Sequence, residues 1–271
     1  MSTASAPLEI GRVALTVSDL PRMTEFYRHA IGLEPLGGDG GTALLGAGSR
    51  AFLELRGDRH ARRAEPREAG LFHTAFLLPD RAALARWIVH AAEAGLPLQG
   101  ASDHLVSEAI YLADPEGNGI EVYRDRPRAE WPTENGRIRM ATQRLDLDAL
   151  ARDADGPWSG APVGTVVGHV HLQVGDTAEA ERFYAGTLGF DVVTHYPGAS
   201  FLSSGGYHHH LGANVWNSRG AGRRSLPSTG LAELGLAADA DAFDAVLART
   251  GRAETLEDPW GTPVRVMRKA A

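Results

Sequence analysis

The chain has 271 residues with 27 basic and 34 acidic side chains, and its formal net charge of −7 argues against a nucleic-acid-binding surface, which needs clustered basic residues. Hydrophobic residues make up 43% of the chain and charged residues 23%, as in globular proteins, and the length suits one large domain or two of ordinary size. Cysteine is absent, so no disulfide framework forms, and any metal ion must be held by histidine and carboxylate side chains.

The start of the chain and its hydropathy predict a cytoplasmic protein without a membrane partner. Residues 1–7 are small and polar, unlike a signal peptide. No apolar run approaches the roughly 20 residues that a membrane-spanning helix needs.

Two units of the form β-α-β-β-β are predicted before the middle of the chain. In the first, residues 10–19 alternate as in a strand, Asp19 or Ser18 is a candidate N-cap, and the helix that follows ends at Gly32. Apolar runs at residues 33–36, 42–45 and 51–55 predict three more strands. In the second, a strand over residues 70–78 precedes a helix over 81–94 and strands near residue 98, at 109–113 and at 119–123. Residues 127–163 are charged and rich in Pro, Trp and Gly, which predicts a linker with a short helix over 143–152.

The first unit recurs later in the chain at a constant offset of 157 residues. The identical pairs are Val13 and Val170, Leu15 and Leu172, Val17 and Val174, Asp19 and Asp176, Phe26 and Phe183, Tyr27 and Tyr184, and Gly32 and Gly189. The second unit recurs as well, because Gly70-Leu71 matches Gly230-Leu231 and Asp114-Pro115-Glu116-Gly117 matches Asp258-Pro259-Trp260-Gly261. A repeat of this length indicates duplication. The sequence therefore predicts an α+β protein of four βαβββ modules, in two domains at residues 8–126 and 164–269 joined by the linker at 127–163.

One acidic residue in the last strand of module two lacks a partner in its own segment. Glu121 stands between Ile120 and Val122, in a strand whose other side chains are predicted to be buried. A buried carboxylate is unfavourable unless it is ion-paired or bound to a metal. The sequence predicts one of these two partners for Glu121.

The repeated Val-x-Leu-x-Val-x-Asp, Phe-Tyr and Gly pattern, with the Asp-Pro-x-Gly turn, resembles the vicinal oxygen chelate superfamily of glyoxalases, fosfomycin-resistance transferases, bleomycin-binding proteins and extradiol dioxygenases. The resemblance covers the chain apart from the linker and implies that the modules pair into two incomplete barrels. The implied metal ligands are His73, Glu121 and His169, which requires modules two and three to share one barrel and modules one and four the other. The corresponding positions of the second barrel are Arg12, Glu233 and Arg265, which implies an ion cluster as the structural remnant of a metal site.

Two segments narrow the resemblance to extradiol dioxygenases, and within them to the CatE-like catechol 2,3-dioxygenases. The stretch from His104 through Tyr111 and the Asp114-Pro115 turn to Glu121 is similar to the extradiol signature, and residues 201–211 are similar to the segment that holds the acid–base histidine. The implied catalytic residues are His209 as acid–base, and His104 and Tyr111 as hydrogen-bond donors to the substrate. The implied substrate contacts are His171, Tyr207, Asn214 and Trp216.

The resemblance implies a dioxygenase that opens a catechol-type aromatic ring with O2, using Fe(II) or alternatively Mn(II) at the triad. Two other hypotheses stay open: a glyoxalase-like isomerase, lyase or transferase that polarises its substrate without O2, and a non-catalytic protein that binds a drug or metabolite. Self-association as a homo-oligomer is compatible with each. If the histidine run forms a regular strand, His208 and His210 lie on the face opposite His209, in structural or dimer-facing positions.

Overall fold

Two large β-sheets organise the chain in the computed structural model, which describes residues 6–269. Module one contains β1 (Leu8–Val17), α1 (Leu20–Phe26) continued by a π-helical turn (Tyr27–Ile31), β2 (Glu34–Gly38), β3 (Thr42–Ala47) and β4 (Arg50–Gly57). Module two contains β5 (Gly70–Leu78), α2 (Arg81–Glu93), β6 (Leu98–Asp103), β7 (Ser107–Ala113) and β8 (Gly119–Asp125).

The linker and the second half of the chain supply the remaining elements. The linker contains a 3₁₀ turn (Arg128–Glu130), β9 (Thr133–Glu134), β10 (Arg137–Ile138), β11 (Gln143–Arg144) and α3 (Leu147–Ala151). Module three contains β12 (Val166–Gln173), α4 (Thr177–Glu181) with a π-helical continuation (Arg182–Thr187), β13 (Asp191–Tyr196), β14 (Ala199–Ser203) and β15 (Leu211–Asn214). Module four contains β16 (Gly230–Ala238), α5 (Ala240–Arg249), β17 (Thr255–Glu257) and β18 (Pro263–Arg268). None of the helices in residues 6–269 is long and apolar enough to cross a membrane.

The sheets pair the modules in the nested manner that the sequence predicts. The nine-stranded sheet runs β11-β6-β7-β8-β5-β12-β15-β14-β13 and so joins module two to module three. The seven-stranded sheet runs β17-β18-β16-β1-β4-β3-β2 and joins module four to module one. Both orders are open, so neither sheet closes into a barrel. The predicted α+β class and the pairing of modules are confirmed.

Three details differ from the predicted plan. Module four has three strands instead of four, because only residues 250–254 separate α5 from β17 and leave no room for another strand and its turn. The linker is docked on module two, since β11 pairs with β6 at the sheet edge and Leu150 of α3 is fully buried. Each sheet draws strands from both halves of the chain, so the segments 8–126 and 164–269 are interleaved, and their division into domains stays a prediction about the sequence repeat.

Each module helix begins at an aspartate whose side chain accepts a backbone N–H of the first turn, which satisfies a donor that the helix leaves free. The four N-caps are Asp19, Asp80, Asp176 and Asp239. Asp19 was a candidate cap from the sequence, and its Oδ1 accepts from Arg22 N at 3.1 Å. The caps fix where each helix leaves its preceding strand.

The two motifs that repeat in the sequence contact each other in the fold. The Tyr27 hydroxyl donates to Asp114 Oδ2 at 2.9 Å, and the Tyr184 hydroxyl donates to Asp258 Oδ2 at 3.0 Å. Both tyrosines are fully buried, and both aspartates are at most 5% exposed. Burial raises the pKa of each aspartate, although the hydrogen bonds from the tyrosine and the turn act in the opposite direction. Each bond joins a helix of one sheet to the last turn of the other, so it ties the two sheets together.

Removing one of these hydroxyls is expected to destabilise the fold without moving the backbone. Tyr27→Phe or Tyr184→Phe leaves a buried carboxyl oxygen short of a donor, which costs about 1–3 kcal/mol of unfolding free energy. Urea titration followed by circular dichroism measures the loss. Tyr196→Phe, at a tyrosine that is 54% exposed, is the control and should unfold like the unmodified protein. Equal midpoints for all three variants would contradict the assigned role.

Candidate metal centre and active-site cavity

Three side chains from different strands converge at the centre of the nine-stranded sheet. His73 on β5, Glu121 on β8 and His169 on β12 are at most 6% exposed, and each offers a ligand atom within 4.8 Å of the other two. Glu121 Oε2 lies 3.1 Å from His73 Nε2 and 3.2 Å from His169 Nε2. The register explains this convergence, because β5 pairs with both neighbours and sets Ala75 opposite both Glu121 and His169.

The spacing of these atoms suits a divalent cation. Ligands at right angles on an ion with bonds of about 2.1 Å lie roughly 3.0 Å apart, close to the two distances from the Glu121 carboxylate. His73 Nε2 is buried and has no partner in hydrogen-bonding geometry within residues 6–269, so its lone pair is available to a ligand. Two imidazoles and one carboxylate form the donor set of non-haem Fe(II) sites, and other divalent ions also accept it.

The electrostatics of the cluster favour a cation as well. Burial would raise the pKa of Glu121, but the His169 and His73 rings beside it hold that pKa well below its ordinary value. Burial lowers the pKa of His169 despite the nearby Glu121, and burial together with His73 and His169 lowers the pKa of His171 well below its ordinary range. The site thus favours an ionised Glu121 carboxylate and an uncharged His169 imidazole, the protonation states that metal ligands require.

A glycine beside His169 makes the close packing of the centre possible. A β-bulge in β12 falls between Val167 and His169, and a Cβ at Gly168 would stand 1.9 Å from the Tyr123 hydroxyl oxygen and 3.0 Å from Leu77 Cβ. The Tyr123 ring lies 4.8 Å, centroid to centroid, from the ring of His169. The same bulge recurs in β1 between Ile10 and Arg12, so the duplication preserved it at Gly11.

Gly168→Ala is therefore expected to weaken metal binding by displacing Tyr123 or β12 and with it the His169 ring. Disturbing a group that orients a ligand lowers metal affinity by about 10- to 100-fold. Titration with Co(II) or Fe(II), with chelator competition, measures the affinity. Gly186→Ala is the matched control, because no atom lies within 4 Å of a Cβ built there. Unchanged affinity in Gly168→Ala would show that the glycine is not needed for the ligand geometry.

A cavity of about 670 Å³ opens in front of the three donors. Its wall is partly aromatic, with Phe72, Phe201 and Trp216 on one side. The His209 ring also lines it, 4.2 Å from the ring of His169 and 5.0 Å from the ring of Phe201. Burial, followed by the neighbouring histidines, lowers the pKa of His209 well below its ordinary range, so at neutral pH the ring is uncharged. The cavity volume and its lining are typical of small-molecule sites.

His104 and Tyr111 both line the cavity and contact each other. His104 Nδ1 lies 2.8 Å from the carbonyl oxygen of Ala141, which can only accept, so Nδ1 bears the proton. In the neutral ring Nε2 then accepts from the Tyr111 hydroxyl, which is 2.7 Å away. Burial and the charge of Glu121 raise the pKa of Tyr111 well above its ordinary value. Both His104 nitrogens are thus engaged, and Tyr111 is the member of the pair beside the metal ligands.

Two of the four predicted substrate contacts reach the cavity. His171 and Trp216 line it, with ring centroids 5.3 Å apart. Tyr207 is fully buried behind His209 and bonds to Asp125, while Asn214 is fully buried and accepts the backbone N–H of Trp216 at 3.2 Å. Neither side chain lines the cavity. Asn214 is the last residue of β15 and Tyr207 lies in the connection before that strand, and both are buried in the protein interior.

The histidine run is not a regular strand, so the predicted alternation of its side chains is wrong. β14 ends at Ser203 and β15 begins at Leu211, and residues 204–210 form an irregular connection between them. His208 and His210 are both 0% exposed. His208 contacts His209 and Asp125, and His210 Nδ1 accepts from Ser204 N at 3.2 Å. The positions are structural, and neither side chain is available at the surface to a second subunit.

Because His210 is buried, the unfolding free energy of the protein is expected to fall in acid. Burial, followed by nearby charge, lowers its pKa to about 3, so the folded chain holds it neutral while the unfolded chain protonates it below its ordinary pKa. Its contribution to stability is present above pH 6.5 and falls as the pH drops from there toward 3. Between pH 7 and pH 5 the unfolding free energy should fall by about 2 kcal/mol through this residue alone.

Urea titrations of the wild type and of His210→Gln at the two pH values isolate this contribution. The variant should lose about 2 kcal/mol less than the wild type between pH 7 and pH 5. His60→Gln, which removes an exposed histidine, should lose as much as the wild type. Identical losses in all three proteins would contradict the assignment.

The corresponding positions of the seven-stranded sheet contain an ion cluster, as the sequence implies. Glu233 lies 3.2 Å from Arg265 and 3.9 Å from Arg12. Two residues that the sequence analysis missed complete it, since Arg56 reaches Glu233 at 3.4 Å and Glu54 lies 2.7 Å from Arg56. Three guanidinium groups occupy the place that corresponds to the metal centre, and they exclude a cation there by charge.

Other functional residues were also missed. Phe72 and Phe201 line the cavity but carry no motif. Strand alternation predicts that Phe72 lies on the face opposite His73, and it stands where the pairing of β5 with β12 is irregular, which the sequence does not reveal. Ala141 contributes through its backbone, which no sequence pattern reveals. Asp125 stands four residues after Glu121, on the same face of β8 by strand alternation, and this spacing was visible in the sequence.

Comparison with known proteins gives consistent results. A family model described as Glyoxalase/Bleomycin resistance protein/Dioxygenase superfamily matches residues 9–122 and 166–255. A catechol-2,3-dioxygenase of Bacillus subtilis (strain 168) is 41% identical over 237 residues, which are 85% of this chain and 83% of that protein. A solved structure from Bacillus subtilis subsp. subtilis str. 168 matches 99% of this chain and 87% of its own at 12% identity, with a TM-score of 0.67. Glyoxalase I from Zea mays matches 96% of this chain and 92% of its own at 17% identity, with a TM-score of 0.57. The two structural matches show the fold.

Proposed function

Because the chain belongs to the Glyoxalase/Bleomycin resistance protein/Dioxygenase superfamily, we propose that it is a metal-dependent extradiol dioxygenase that opens the ring of a catechol-type substrate with O2. The observation that carries this proposal is the buried His73, Glu121 and His169 set at the base of an aromatic-lined cavity. The 41% identity to a catechol-2,3-dioxygenase supports the same reaction class.

His73, Glu121 and His169 hold the metal, with Fe(II) as the first choice and Mn(II) as the alternative. When bound, such an ion with three protein ligands supplies open coordination positions for a chelating diol and for O2. The buried carboxylate balances one of the two positive charges and keeps the ligands in place. With a divalent ion bound, the single carboxylate would leave the centre a net cation, which favours an ionised diol over a neutral one.

His209 and Tyr111 serve the two hydroxyl groups of the substrate. His209 is uncharged and takes the proton of one hydroxyl, as a general base. The Tyr111 hydroxyl donates its own hydrogen to His104 Nε2, so its oxygen has lone pairs that accept a hydrogen bond from the second hydroxyl. A proton that moves to Tyr111 is matched by one that moves on to His104, whose Nδ1–H stays bonded to the Ala141 carbonyl.

The aromatic wall orients the ring of the substrate. Phe72 and Trp216 form an edge-to-face pair with centroids 5.4 Å apart, and His171 contacts both of them. Edge and face contacts of this kind hold an aromatic ring in a defined plane. That plane determines which bond of the substrate ring lies next to the metal.

The test is anaerobic reconstitution with Fe(II) or Mn(II), followed by O2 and a panel of catechols, with O2 uptake and the colour of a ring-opened product as readouts. His73→Ala should lose bound metal and activity together. His209→Gln should retain metal but lose activity by about 10²- to 10⁴-fold, the usual contribution of a general base. His60→Ala, at an exposed histidine outside the cavity lining, is the control and should keep both.

Three outcomes separate the hypotheses. Metal-dependent O2 uptake with a ring-opened product that His209→Gln abolishes supports the dioxygenase. Stoichiometric metal without O2 uptake on any catechol would instead favour a redox-neutral isomerase, lyase or transferase. A protein that binds aromatic ligands but holds no metal would refute the triad and leave a binding function.

A further inference from the structure

A carboxylate behind the His209 ring sets the direction of a buried chain of hydrogen bonds. Asp125 is the last residue of β8. Its Oδ1 lies 2.8 Å from His208 Nε2, and its Oδ2 lies 2.9 Å from the Tyr207 hydroxyl oxygen. A carboxylate can only accept hydrogen bonds. Therefore His208 donates from Nε2, and Tyr207 donates from its hydroxyl.

The next hydrogen bond of the chain joins His208 to His209, which lines the cavity. His208 Nδ1 lies 2.8 Å from His209 Nδ1, and one of the two nitrogens must be the donor. A neutral histidine with its proton on Nε2 has a lone pair on Nδ1, so His208 accepts and His209 donates. With its proton on Nδ1, His209 has its lone pair on Nε2, the ring nitrogen that is left for the cavity.

Packing encloses the His208 ring, and its two hydrogen bonds set its orientation. Its ring is 0% exposed and lies 4.0 Å from the Tyr207 ring at an angle of 34°, with the Trp131 ring 5.3 Å away. The Tyr207 hydroxyl is held in turn by the Tyr123 hydroxyl at 2.8 Å. Because Tyr207 donates to Asp125, Tyr123 donates to Tyr207, and every proton in the chain points toward the one carboxylate.

We propose that Asp125 and His208 are positioning residues that fix the tautomer of His209, so that a lone pair and not a proton faces the substrate. A buried aspartate that orients a histidine for proton transfer is a known catalytic arrangement; here a second histidine is inserted between the two. The catalytic consequence rests on the function proposed above, whereas the tautomer itself can be measured without turnover.

Nitrogen NMR reads the tautomers directly. The full chain, labelled with ¹⁵N-histidine and loaded with diamagnetic Zn(II), is recorded in long-range proton–nitrogen correlation spectra, and the spectrum of His209→Gln identifies the His209 signals. The wild type should show His209 protonated on Nδ1 and His208 protonated on Nε2. A wild-type His209 protonated on Nε2 overturns the proposal, whatever the activity of the protein.

Substitutions at Asp125 test whether its carboxylate determines the tautomer of His209. Asp125→Leu has nearly the same shape but no acceptor, so His208 is free to move its proton to Nδ1 and His209 becomes a mixture of tautomers. Asp125→Asn restores one acceptor oxygen and should recover much of the wild-type population. With Fe(II), kcat should fall about 10- to 100-fold in Asp125→Leu and less in Asp125→Asn, with KM within about threefold. Asp155→Asn, which removes an exposed carboxylate paired with Arg86, should leave both readouts at the wild-type value.

Each outcome either supports or overturns the proposal. Asp125→Leu with the wild-type tautomer overturns the proposal, even if the variant is less stable or less active. If Asp125→Leu fails to fold, His208→Phe keeps the ring packing while removing the acceptor for His209, and it should show the same mixed tautomers and loss of kcat. The expected tautomers in a protein that consumes no O2 with any catechol would support the positioning network and refute the dioxygenase.

Discussion

The structure depends on one buried carboxylate. Glu121 is 3% exposed in the middle of a nine-stranded sheet, where an isolated negative charge is strongly unfavourable. Two imidazoles lie within 3.2 Å of it, and its negative charge favours a cation at the same point. Strand pairing places these groups, since the donors come from three adjacent strands and the bulge at Gly168 lets the layers approach.

The duplicated modules compensate a buried carboxylate in two different ways. In the nine-stranded sheet the first-strand positions are histidines and the last-strand position is a carboxylate, so lone pairs face one point. In the seven-stranded sheet the corresponding positions are Arg12, Glu233 and Arg265, and the acid is neutralised by permanent cations of the chain itself. Glu233 is buried, but its three arginine partners are 29–48% exposed, and ion pairs of such exposed groups contribute little net stability. The buried carboxylate is thus compensated by side chains of the chain itself in one sheet, whereas in the other the proposed metal ion would compensate it.

The sequence was sufficient for everything that follows from periodicity and duplication. The repeat locates the module starts. The nested pairing follows from the family resemblance, which implies that His73, Glu121 and His169 meet. The sequence failed where backbone geometry is irregular. Two glycines at positive φ, Gly205 and Gly206, turn the chain within residues 204–210, so this segment is not the strand that the sequence predicts, and Tyr207 does not reach the cavity. The contribution of Ala141 was out of reach, because a backbone carbonyl bonds independently of its side chain.

The nested arrangement also determines when the centre can come into being during synthesis. The first half of the chain supplies β5 and β8 with two of the donors, but the second side of β5 has no partner until β12 has been made, and β1 waits for β16 near the end of the chain. The central strands of both sheets therefore emerge from the ribosome with unpaired edges, a state prone to association with other chains. Contacts this distant in sequence are slow to form, so assembly of the binding site is among the last events in folding. An incomplete chain therefore lacks the metal-binding site. If the two halves were expressed separately, each would lack strands of both large sheets.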